Sequence, residues 1–175
     1  IEAIDIALSL GIEIKLNTVI LKNINDNQII PLLEFAHSRN IQIRFLELMR
    51  MGPMHQTSKF DDHFFSEAEI LERIAMQYKF SPIERTKSAT ANYWITTNGL
   101  KFGIIANEST PFCHDCNRLR LDSYGNIFGC LSNENGIDIS NANQTLLTQH
   151  LTSALAMKQE LKFKGSNLSM MAIGG

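Results

Sequence analysis

Cysteine is scarce in this chain: three in 175 residues, Cys113, Cys116 and Cys130, all within one 18-residue stretch. An odd, clustered count is a poor disulfide framework; it fits a reducing cytoplasm and a metal site better. Neither sign of charge dominates, with 16 Lys+Arg against 18 Asp+Glu and a formal net charge of −2. That balance argues against a generally basic nucleic-acid binder but leaves room for a local basic cluster on phosphate. No apolar run reaches the ~18–20 residues of a membrane span. Ile1 is neither an initiator Met nor the start of a signal peptide, and IEAIDIALSLG reads as a helix entered in mid-pattern, so truncation at the N-terminus is expected. Repeats and low-complexity segments are missing as well. What remains is 44% hydrophobic and 8% aromatic residues, the profile of an ordinary globular protein with one domain or two small ones.

In the opening helix Ile1, Ile4 and Leu8 recur at helical spacing, and Gly11 supplies its C-terminal stop. A strand follows in which Ile12, Ile14 and Leu16 alternate with Glu13, Lys15 and Asn17, giving one oily and one polar face. Next comes a helix with Asp26 as its expected cap and Pro31 confined to the first turn. The run IQIRFLELM is apolar on both faces, as a strand buried in a parallel sheet should be. Ser66 and Glu69 form a capping box before Ile70, Leu71, Ile74 and Tyr78. Beyond residue 80 the pattern changes to hairpins, one turning at Asn98-Gly99 and one at Tyr124-Gly125, followed by a helix from about Gln144 to Glu160. A βα-rich first part followed by hairpins places a domain boundary near residues 79–90, dividing the chain into 1–80 and 81–175.

The sharpest chemical signal is PFCHDCNRLRLDSYGNIFGC, where Cys113 and Cys116 have C-x2-C spacing and Cys130 follows after 13 residues. Two thiolates on one tight turn bind a single metal centre together, and the Tyr124-Gly125 turn brings a third close. Structural zinc closes with four protein ligands, so His114 or another His would complete it. An iron–sulfur cubane held by three Cys leaves one iron open to a small molecule. A redox C-x2-C pair is the further possibility. Immediately after the pair, Arg118 and Arg120 alternate with Leu119 and Leu121, so in a strand both guanidinium groups share a face. Beside a metal centre they make an anion site, since the planar fork of Arg matches phosphate; the alternative is a solvated strand face. Lys15 and Asn17 would face the lumen if their strand belonged to a barrel, and would otherwise be half-exposed. A charge within the apolar second strand, at Arg44 or Glu47, needs a partner or a ligand. Met49 and Met51 serve equally well as core filler. His55 and His63 read as surface residues. The terminal Gly174-Gly175 suits a narrow passage that any Cβ would block, against the default of a frayed end.

At FCHDCNRLRLDSYGNIFGC, with KLNTVI, RFLELM and the MAIGG ending, the chain resembles the C-terminal half of the GTP 3',8-cyclases, a radical S-adenosylmethionine family of molybdenum cofactor biosynthesis. The resemblance covers essentially the whole chain. It implies an α/β fold: residues 1–80 as the C-terminal part of an incomplete (βα)6 radical SAM barrel, and residues 81–175 as a smaller α+β domain carrying a cysteine-ligated cluster. It also implies a [4Fe-4S] cluster on Cys113, Cys116 and Cys130 whose open iron binds the guanine of GTP. Lys15, Arg118, Leu119 and Arg120 would line the GTP site, Met49 would lie beside S-adenosylmethionine, and Gly174 and Gly175 would enter the active site.

The reaction so implied converts GTP to (8S)-3',8-cyclo-7,8-dihydroguanosine 5'-triphosphate. A second [4Fe-4S] cluster on a C-x3-C-x2-C motif would cleave S-adenosylmethionine. The three cysteines here leave none for that motif, so the chain is expected to be a substrate-binding half, inactive alone and cytoplasmic. A homodimer is expected too, with cyclic pyranopterin monophosphate synthase acting downstream, and neither nucleic acid nor membrane as a partner. Asp122 stands where the family usually has Thr, and the tail lacks the expected basic residue. The competing readings are a zinc-binding module without catalysis and another radical SAM enzyme with an auxiliary cluster. A GTPase is excluded by the missing G-x4-G-K-[ST] loop.

Overall fold

The computed structural model describes residues 1–159 and 161–174 and is a mixed α/β structure. Helix α1 (Glu2–Ser9) ends in the expected glycine stop: Gly11 takes the left-handed conformation, and the Gly11 and Ile12 N–H groups donate back to the Leu8 and Ala7 carbonyls. Strand β1 (Lys15–Val19) leads through a 3₁₀ turn (Asp26–Gln28) into α2 (Ile29–Ser38), which returns the chain to β2 (Gln42–Leu46), parallel to β1. Asp26 is not the helix cap. It lies one turn too early, and its carboxylate instead accepts from Arg73 at 2.9 Å. Pro31 does sit in the first turn of α2, where its missing N–H has no helical partner to lose.

Helix α3 (Lys59–His63) was not foreseen from the sequence, whereas α4 (Glu67–Ala75) begins at the expected capping box, Ser66 and Glu69 exchanging hydrogen bonds. Ile70 and Ile74 on its inner face are fully buried. The hairpin signal at Asn98-Gly99 joins β4 (Asn92–Thr96) to β5 (Lys101–Ile105), with β3 (Phe80–Ile83) antiparallel on the far side of β4. Because β5 pairs in parallel with β2, Ile43 opposite Phe102, the strands form one five-stranded sheet in the order β1-β2-β5-β4-β3. Its apolar side carries Ile43, Phe45, Phe102 and Ile104, all fully buried, and Trp94 stacks on Phe102 at 5.7 Å between ring centres.

The chain divides into two compact units. Unit 1 comprises Ile1–Leu48 and His63–Ser109; unit 2 comprises Met49–Asp62 and the described residues from Thr110 onward. This division differs from the sequence boundary near residues 79–90, because the hairpin that marks the change of pattern extends the first sheet instead of starting a new one. In unit 2 a three-stranded sheet, β6 (Arg120–Leu121), β7 (Asn126–Phe128) and β8 (Ile137–Asp138), is followed by α5 (Gln144–Ala156), capped by Asn143. The expected end of this helix at Glu160 lies outside the described residues. A small core of Met51, Phe128, Phe163 and Ile173 holds the unit, with Met49 and Cys113 packed against it. Among the described residues no helix is long and apolar enough to cross a membrane.

Candidate nucleotide and cluster site

The C-x2-C pair lies on a single 3₁₀ turn (Cys113–Asp115), closed by the Cys116 N–H donating to the Cys113 carbonyl at 3.2 Å. Cys130 follows the end of β7. Its N–H donates to the Asn133 side chain at 2.7 Å, which fixes the loop that carries it. All three cysteines are free and half-buried. Burial pushes the Cys113 thiol up, Cys130 and Cys116 raise it further, and the cations of Arg118 and Lys158 act against them. The five groups therefore share one electrostatic neighbourhood. His114, the nearest candidate for a fourth zinc ligand, is exposed. Among the described residues no three His, Cys, Asp or Glu side chains are grouped to hold a metal ion. The donor chemistry nonetheless fits a thiophilic group: three soft, disulfide-free ligands on two loops of one unit.

The arginine pair is brought to the same place, although less regularly than alternation suggested. Only Arg120 and Leu121 are in strand β6; Arg118 precedes it, its guanidinium 5.0 Å from the Phe112 ring centre. The opposite face is only partly covered: Leu119 is half-buried, but Leu121 is 55% exposed. A two-residue strand at the edge of a small sheet has too little cover for its second face. Burial first and then the neighbouring Arg118 push Arg120 below the usual guanidinium range, with the Cys130 and Cys116 thiols opposing. Two guanidinium groups that repel each other across a partly buried site have the charge and the planar donor geometry that suit a polyanion. Lys158, Lys162 and Lys164 line a cavity of about 470 Å³ in the same unit.

The tail meets this strand. Gly174 has a φ of +70°, and a Cβ there would lie 2.1 Å from the Leu121 carbonyl oxygen, so only glycine fits. Arg120 donates to the Gly174 carbonyl at 3.3 Å. Gly175 lies outside the described residues. Met49 packs into the core of unit 2, consistent with filler, and Met51 is buried there. Lys15 belongs to unit 1: it is exposed on β1 and pairs with Glu13 at 3.5 Å. Asn17 on the same face accepts from Arg44 at 2.8 Å, the partner that a charge in β2 required. Glu47 finds its partners in three backbone N–H groups and the Ser109 hydroxyl. His55, expected at the surface, is half-buried, and its Nδ1 is buried without a hydrogen-bond partner.

Sequence reasoning missed Lys158, just beyond the end of α5. Its ammonium donates to the Gly129 carbonyl at 2.8 Å and to the Arg118 carbonyl, and lies 3.6 Å from the Cys116 sulfur. Nothing local marks it, since its partners are 29 to 42 residues away.

Asp122 has a structural role in the turn. Its carboxylate accepts from the Tyr124 N–H at 2.9 Å and from the Asn126 backbone and side-chain N–H at 2.8 and 3.0 Å. These bonds, the Asn126 side chain foremost, hold its carboxyl below the ordinary 3.8. A folded pKa below the unfolded one stabilises above the unfolded value, and the effect is lost as pH falls through the folded value. Amide exchange at Tyr124 and Asn126, relative to intrinsic rates, is expected to accelerate below about pH 4, and in D122A already at neutral pH. A D122A protein exchanging like the parent at neutral pH would show that the turn does not depend on this carboxylate.

The family model described as Molybdenum Cofactor Synthesis C matches residues 41–165, a stretch that includes all three cysteines and both arginines. A GTP 3',8-cyclase of Helicobacter pylori is 41% identical over 142 residues, covering 81% of this chain and 43% of that protein. One from Synechocystis is 38% identical over 173 residues, covering 98% of this chain and 52% of the relative. A Campylobacter lari GTP 3',8-cyclase is 42% identical over 142 residues. The chain spans about half the length of the curated relatives it matches. With most of its length, the cysteine loop and the arginine strand all inside the matched region, the chain belongs to the Molybdenum Cofactor Synthesis C family.

Proposed function

We propose that this chain is the substrate-binding half of a GTP 3',8-cyclase acting in molybdenum cofactor synthesis. The observation that carries the reading is the convergence of the Cys116 and Cys130 loops with Arg118 and Arg120, tied together through Lys158. Cys113, Cys116 and Cys130 would hold a [4Fe-4S] cluster, which when bound supplies a soft, open coordination position for the guanine base. Arg118 and Arg120 bind the triphosphate, and Leu119 between them packs on the nucleotide. Holding GTP at both base and phosphate fixes the ribose, which is what a reaction at a single C–H bond requires.

The remaining assignments rest on the family resemblance. Lys15 is a further GTP ligand, Met49 lies beside S-adenosylmethionine, and the Gly174-Gly175 tail approaches the reacting centre. The parallel β1–β2 part of unit 1 is read as late strands of an incomplete (βα)6 barrel, and unit 2 as the cluster-bearing part. These 175 residues hold no C-x3-C-x2-C motif. On this reading they bind GTP but do not turn it over without the cluster that such a motif would hold.

The test is anaerobic reconstitution with iron and sulfide, followed by metal analysis and by visible and paramagnetic resonance spectra with and without GTP. Roughly four irons per chain and a spectrum that GTP alters are expected. Stoichiometric zinc, no iron and indifference to GTP would leave a structural zinc module and overturn the proposal.

A further inference from the structure

Lys158 carries a consequence beyond the ligands themselves. An ammonium group has three N–H donors, and here all three have acceptors, on two segments: the Cys116 sulfur and the Arg118 carbonyl on one and the Gly129 carbonyl on the other. Lys158 is half-buried, and among the described residues no carboxylate pairs with it. A partly desolvated cation without a carboxylate is costly unless an anion stands nearby. The groups within reach are the Cys116 sulfur and two backbone carbonyls. Approach of the lysine is permitted by Gly129, against whose backbone the end of α5 packs directly.

We propose that Lys158 is a positioning residue of the cysteine site: its ammonium staples the Cys116–Arg118 segment to the Gly129–Cys130 segment and places a fixed positive charge beside the Cys116 sulfur. The inference rests on the reading of the three cysteines as ligands of one cluster and deepens it. The compact tetrahedral donor set of lysine meets three acceptors from three directions; the planar fork of arginine does not. A cation held beside a thiolate-ligated cluster favours its reduced, more negative state, so Lys158 raises the reduction potential.

Two variants and two readouts test this. In iron-free protein, Lys158→Met is expected to accelerate amide exchange about tenfold at residues 116–118 and 129–130, leaving β8 and the first turns of α5 unchanged. In reconstituted protein, the same variant is expected to shift the reduction equilibrium about tenfold toward the oxidised state, roughly 59 mV for one electron. Lys158→Arg keeps the charge and is expected to recover most of the potential while recovering little of the exchange protection. Exchange in Lys158→Met equal to the parent overturns the proposal, as does acceleration spread evenly over unit 2 in both variants, which would make Lys158 a packing residue only. The two readings fail separately: unsubstituted protein that takes up no iron removes the cluster, whereas unchanged exchange removes the role of Lys158.

Discussion

Replacing Glu47 with alanine is expected to produce a large loss of stability in unit 1. This carboxylate, 2% exposed at the end of β2, accepts from the N–H of Glu67 at 2.8 Å, of Glu108 at 2.9 Å and of Ser109 at 3.0 Å, and from the Ser109 hydroxyl. It thereby closes the N-terminus of α4 and fixes the loop after β5 with one side chain. A buried donor that loses its acceptor costs about 1–3 kcal/mol, and with the Glu67 N–H buried and those of Glu108 and Ser109 on a more open loop the loss is put at roughly 2–3 kcal/mol. Against a typical total of roughly 5–15 kcal/mol, that is a large fraction. Glu47→Gln should fall between parent and alanine variant, because its amide NH₂ would face N–H donors on one side. Trp94, the single tryptophan, lies in β4 of unit 1 and reports the transition by fluorescence in urea. A Glu47→Ala midpoint within error of the parent would show that water replaces the carboxylate at little cost.

What could be read in the sequence was what is local. The Ser66–Glu69 capping box, the Asn98-Gly99 hairpin, the Gly11 helix stop and the C-x2-C turn each depend on residues three or four apart, and each stands where the pattern put it. Asp26 failed because a cap is a matter of one residue's placement, and the inserted 3₁₀ turn freed its carboxylate for Arg73, 47 positions away. The parallel pairing of β5 with β2 left no periodic trace, since a hairpin strand and a buried parallel strand carry the same apolar residues. Glu47 was recognisable as a charge needing partners, but these, three backbone N–H groups and the Ser109 hydroxyl, are 20 to 62 residues distant. The candidate site divides in the same way: the thiols and arginines share one motif, while the lysine that joins them lies on another element.

Gly129→Ala tests whether the cysteine site depends on that joining. A Cβ at residue 129 would lie 2.0 Å from the Ala154 carbonyl oxygen and 3.0 Å from the Met157 Cβ. A backbone oxygen of a helix cannot swing aside as a side chain can, so the end of α5 must move away from β7. Overpacking of this kind costs about 1–3 kcal/mol, and a backbone obstacle puts it near the upper end. The displacement carries Lys158 away from the Gly129 and Arg118 carbonyls and removes the hold on the segment leading into Cys130. Iron uptake is therefore expected to fall several-fold from the roughly four per chain of a cubane, and the response to GTP to fall with it. Unit 1 supplies the control: its buried core is its own, so the Trp94 transition should stay where it is in the parent. Iron binding at the parental level in Gly129→Ala would mean that the thiol loops are held without α5, and that the packing of the helix on Gly129 serves the fold alone.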